Sequence, residues 1–234
     1  MNHHYHEQHA IRTFLCVTVL LAPLSFAAAE SGHEGHSDIE FSYVGGQIDV
    51  EFGDDGPVFE SDFPTLGALN GFTNLPGFAS EIDEGMGIGP GDALRYNVRG
   101  PLRYHDGNSF IPTSATIAGD DQPLTGTVVI KPDTTLADGL GGLIGEANGA
   151  GDFHADPGWL LSVPAANGAY GVLLNLETNA PGVAASEPFY LVFNYGLDEP
   201  EFDATLSDFA AAVPEPAMLS LLTLGALMLL RRQR

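Results

Sequence analysis

Positive charge is almost missing from this sequence: eight Lys and Arg stand against 31 Asp and Glu, a formal net charge of −23 over 234 residues. So anionic a body has no broad cationic surface, which excludes nucleic acid and anionic lipid as its partners. Cysteine is nearly absent too. Cys16 stands alone, so the chain has neither a disulfide framework nor a thiolate metal centre. Catalytic signatures are equally scarce. There is no Gly-x-Ser-x-Gly elbow, no His-Glu-x-x-His, no phosphate-cradling loop ending in Gly-Lys and no EF-hand. The glycines at 85, 87, 89 and 91 have the wrong spacing for a dinucleotide fingerprint. The side-by-side carboxylates Asp54-Asp55 and Asp120-Asp121 point to opposite faces of a strand rather than forming an acid/base couple. A non-enzymatic role is expected, with a secreted hydrolase as the third-ranked reading.

What is present points to folded β structure. Charged residues make only 17% of the chain and apolar ones 44%, too apolar for an acidic disordered polymer. Gly (29) and Pro (16) together approach a fifth of the chain, which favours short strands and turns over a helical bundle. Ile39, Phe41 and Tyr43 alternate with polar residues, Gly45-Gly46 follows, and Ile48, Val50 and Phe52 alternate again: a hairpin pattern. Further strand candidates lie at 93–98, 102–105, 126–131, 159–163, 170–176 and 189–195. The expected fold is all-β, a single jelly-roll-like β-sandwich over 30–212. Segments 63–91 and 133–151, rich in Gly, read as long loops. Segment 197–212 reads as a short helix or an extended stalk, broken early by Glu199 and Pro200.

Both ends carry targeting signals. Arg12, an apolar run at 13–26 and Ala27-Ala28-Ala29 form a signal peptide, with signal peptidase expected to leave Glu30 first. At the other end Val213-Pro214-Glu215-Pro216 precedes 14 apolar or small residues at 217–230 and then Arg231, Arg232, Gln233 and Arg234. A helix of that length covers about 21 Å, short of a ~30 Å hydrocarbon core, and its basic end stays cytoplasmic. This order is similar to the PEP-CTERM sorting signal of Gram-negative bacteria. The resemblance implies processing by an exosortase, a transient inner-membrane tether through 213–234, and delivery to the cell surface or an exopolysaccharide matrix. The tail also occurs on some ice-binding proteins, but this body has one Thr-x-Thr, Thr125-Gly126-Thr127, and no repeat, so ice binding is not expected.

Four histidines follow the signal peptide: His33, His36, His105 and His154. His33-x-x-His36-x-Asp38 offers three groups within six residues, His154-x-Asp156 two more, and His105 sits at a strand end; zinc takes such imidazole and carboxylate ligands. These six residues are the candidate metal ligands, against the alternative of solvated polar side chains. The run from His36 to Tyr43 into Gly45-Gly46, and His154 followed by Trp159 and Gly168-Ala169-Tyr170, are similar to bacterial surface-anchored "choice-of-anchor" domains. That resemblance implies a secreted sandwich able to bind zinc, with Asp156 replacing the second His of the family's closing motif. Trp159, Tyr170, Phe189, Tyr190, Phe193 and Tyr195 fit the core better than a sugar groove. A carbohydrate- or calcium-binding matrix module remains the alternative function.

Overall fold

A computed structural model describes residues 38–54, 56–121 and 126–214. The signal peptide, His33, His36 and the sorting segment from Glu215 onward lie outside the described residues. In chain order the strands are β1 (Ile39–Val44), β2 (Gln47–Val50), β3 (Val58–Asp62), β4 (Phe72–Thr73), β5 (Phe78–Ser80), β6 (Ala93–Val98) and β7 (Arg103–His105). They continue as β8 (Ile117–Asp121), β9 (Gly126–Ile130), β10 (Gly141–Glu146), β11 (Phe153–Ala155), β12 (Trp159–Leu161), β13 (Gly168–Thr178) and β14 (Phe189–Tyr195), and helix α1 (Glu199–Ala211) follows. Among the described residues no helix is long and apolar enough to cross a membrane.

The strands form three sheets, in the orders β11-β5-β1-β2, β10-β6-β13-β14-β3 with β7 also on β13, and β4-β12-β8-β9. Pairing is antiparallel except for β1 with β5 and β14 with β3. The expected hairpin is present, with Gly45 and Gly46 at φ +60° and +84° in the turn between β1 and β2. One apolar core joins all three sheets: Ile39, Phe41 and Phe78 meet Tyr96, Leu174 and Phe193, together with Trp159 and Ile117. The six aromatics weighed for a sugar groove are all buried, so none offers a ring to solvent.

The two Gly-rich segments are long loops only in part. Segment 63–91 contains β4 and β5, and 133–151 contains β10. The reason is close approach. A Cβ at Gly142 would lie 2.7 Å from the Tyr96 ring, and one at Gly141 2.5 Å from the Tyr96 carbonyl oxygen. Here glycine brings β10 against β6 over a large aromatic side chain, instead of loosening the chain.

Segment 197–212 is also corrected in detail. Pro200 does not break the helix but begins it, because a first-turn residue has no intrahelical N–H bond to lose. Asp198 caps that turn, its Oδ1 accepting from Glu201 N at 3.1 Å. The helix lies on the sheet rather than extending away. Phe202, Leu206 and Phe209 are buried against Val58, Ala169, Leu173, Tyr190 and Val192, and Val213 packs at the margin. The Phe209 ring occupies the space left by Gly171, where a Cβ would meet its Cε1 at 2.1 Å. Phe209→Ala should therefore lower stability by about 3–5 kcal/mol in denaturant titration of the full chain. Pro200→Ala should change it by less than about 1 kcal/mol.

Candidate metal centre

The site begins with strand register. Ile39 pairs with Phe78 across the parallel β1–β5 ladder, and Ala155 pairs with Phe78 across the antiparallel β11–β5 ladder. One step further, Gly77 lies between Asp38 and Asp156, its carbonyl accepting from Ile39 N at 2.8 Å. His154 is two residues before Asp156 and so shares its face of the strand, while Phe153 points into the core. Chemistry-bearing groups from two strands therefore converge above a third strand that carries no side chain at Gly77 and only a methyl group at Ala79.

The geometry is that of a three-ligand cluster. His154 Nε2 is 3.1 Å from Asp38 Oδ2 and 3.5 Å from Asp156 Oδ1. One ligand atom from each of the three residues lies within 4.8 Å of the others. The His154 and Asp156 side chains are about half exposed and that of Asp38 less so, so an ion has access from solvent. Gly77 is the floor. A Cβ there would lie 2.4 Å from Asp156 Oδ1 and 2.5 Å from Asp38 Oδ1.

Further carboxylates border the cluster on the same sheet. Glu40 follows Asp38 on the outward parity of β1, and Glu51 N donates to Glu40 O at 2.9 Å. The Glu40 carboxyl is held above the usual range, first by partial burial and then by the charges of Glu84 and Glu51.

Three of the six candidate ligands, Asp38, His154 and Asp156, come together. His105 does not join them, because β7 belongs to the six-stranded sheet and turns this side chain toward α1. It is 2% exposed, with Nε2 3.0 Å from Asp208 Oδ2 and Nδ1 accepting from Gly107 N at 3.2 Å. With Nδ1 an acceptor, Nε2 carries the hydrogen and donates to Asp208. Its ring also meets the Phe110 ring edge-on at a centroid distance of 5.1 Å. His105 docks α1 and stands apart from the three-residue cluster.

Gly77 is the site residue that sequence reasoning misses. Within Leu75-Pro76-Gly77-Phe78 it reads as a turn glycine, and only the ladder register reveals the close approach. No family model matches the chain, and neither a curated protein nor a solved structure matches it.

The added methyl of Gly77→Ala must push Asp38 and Asp156 apart. Zinc affinity of the full chain, read by competition with a chromogenic chelator, should fall more than about tenfold, while the far-ultraviolet circular dichroism keeps its β signature.

Proposed function

We propose that this chain is an exported, non-enzymatic protein of the cell surface or extracellular matrix that holds one zinc ion at Asp38, His154 and Asp156. The observation that carries the metal reading is the convergence of an imidazole and two carboxylates over Gly77. Ligand atoms about 2.0–2.1 Å from a tetrahedral zinc are roughly 3.3–3.4 Å from one another. The His154–Asp38 and His154–Asp156 separations of 3.1 and 3.5 Å bracket that value. Small side-chain adjustments then suffice to admit the ion. The imidazole favours zinc over calcium, which takes oxygen ligands.

Three protein groups leave a fourth position on a tetrahedral ion. In this reading His36, two residues ahead of Asp38 in sequence and outside the described residues, is the candidate for it. A water is the other occupant. His33, five residues ahead of Asp38, also lies outside the described residues.

The fold reading that accompanies this is a single β-sandwich of jelly-roll character, its three sheets sharing one core. The parallel ladders of β1 with β5 and β14 with β3 depart from a purely antiparallel jelly roll. Export rests on the N-terminal leader and on the Val213-Pro214-Glu215-Pro216 tail, with signal peptidase and an exosortase as processing partners.

The test is metal content by mass spectrometry on the purified full chain, followed by zinc titration of the apo form. About one zinc per chain is expected, with His154→Ala and Asp38→Asn each weakening binding more than about tenfold and His105→Ala leaving affinity unchanged. No zinc above background, or equal loss in the His105 variant, overturns the metal reading.

A further inference from the structure

Between the leader and the tail the chain has four cations, Arg95, Arg99, Arg103 and Lys131, against 29 carboxylates. Where so few lie is informative. Three of them gather on the outward face of the six-stranded sheet. Arg95 and Asn97 take outward positions of β6, alternating with buried Leu94, Tyr96 and Val98. Arg99, one residue beyond the strand, keeps the same parity, and its amide still donates to Leu173 O at 2.8 Å. Outward positions repeat about every 6.7 Å along a strand, so Arg95, Asn97 and Arg99 form a ladder about 13 Å long.

The third arginine is already engaged. Arg103 lies 5.1 Å from the Phe110 ring centroid and faces the Tyr190 hydroxyl, beside α1. Arg95 and Arg99 are exposed, and among the described residues neither has an ion-pair partner. Glu177 stands opposite Arg95 in register, yet its Oε2 accepts from Asn97 Nδ2 at 2.8 Å. On the other side of β6, Gly141 pairs with Asn97 and adds no side chain to crowd it. Helix α1 covers β13, β14 and β3 on this face and leaves β6 open.

We propose that the Arg95–Asn97–Arg99 ladder binds an acidic polysaccharide, a chain with carboxylates on successive sugars. Guanidinium forks pair with carboxylates through two parallel hydrogen bonds. Between them the Asn97 amide and the Glu177 carboxylate offer a donor and acceptors to sugar hydroxyls. The ladder is linear and one strand wide. A thin glycan chain can follow it, whereas duplex nucleic acid or an acidic protein would bring a broad anionic surface against a body with 25 net negative charges. These residues are separate from Asp38, His154 and Asp156, so this proposal does not rest on the metal reading.

The test is affinity electrophoresis of the full chain through gels containing polygalacturonate, with dextran as the neutral glycan and EDTA present to remove any metal bridge. Retardation by polygalacturonate but not dextran is expected, weakening as salt is raised. Arg95→Gln with Arg99→Gln should weaken it about tenfold or more, and Lys131→Gln, beyond β9 on another sheet, should not. A circular dichroism spectrum unchanged from the parent keeps a folding defect from imitating the loss. No retardation, equal retardation by dextran, an unaffected double variant, equal loss in the Lys131 variant, or equally tight retention of duplex DNA would each overturn the proposal.

Discussion

Strand β13 is covered on both faces, and the rest of the molecule is arranged around that requirement. From Gly168 to Leu176 every residue is buried. Tyr170, Val172, Leu174 and Leu176 face the core shared by the three sheets, while Ala169 and Leu173 face the second cluster beneath α1. A strand of an antiparallel sheet with one face in water would need polar residues at alternate positions. This one lacks them over most of its length, so something apolar must close the second face. Helix α1 does so, and the hydrogen bond between buried His105 and the exposed Asp208 fastens its last turn to β7, which also pairs with β13.

Glycine is the device by which neighbouring elements come close enough. At Gly171 the absent Cβ admits Phe209, at Gly119 it admits Trp159 and the Tyr96 hydroxyl, and at Gly142 it admits the Tyr96 ring. The composition alone points to turns, and turns explain Gly45-Gly46 correctly. It cannot distinguish a glycine chosen for positive φ from one chosen for missing volume, because the large neighbour lies far away in sequence. For this reason β6 and the first hairpin are legible from their alternation and β14 from its apolar, aromatic run, while β10 is hidden behind its glycines. The two-residue strand β4 and three-residue strands β5 and β11 are too short to show a period at all.

The same distinction governs the candidate site. His154-x-Asp156 announces two groups on one strand face, and Asp38 before an alternating strand announces a third. Their meeting depends on β5 running between β1 and β11, a pairing with no local sequence signal. His105 misleads for the opposite reason. It ends a strand as a binding residue often does, but the apolar helix that buries it arrives about a hundred positions later.

Charge repulsion sharpens the meaning of the cluster. Asp38 and Asp156 are rooted on strands separated by β5, so their backbones stand about two strand spacings, roughly 9.6 Å, apart. On a body with 25 net negative charges, two such carboxylates relax toward solvent and away from each other unless a cation lies between them. Here both instead lean inward, their Oδ1 atoms each within 2.5 Å of the position a Gly77 Cβ would take. The His154 imidazole stands over the pair, its Nε2 3.1 Å from Asp38 Oδ2 and 3.5 Å from Asp156 Oδ1. The zinc ion proposed above would lie between the two carboxylates with the imidazole as its third ligand. It would draw on the same three side chains over the same glycine floor, so the strands would need no rearrangement to admit the ion.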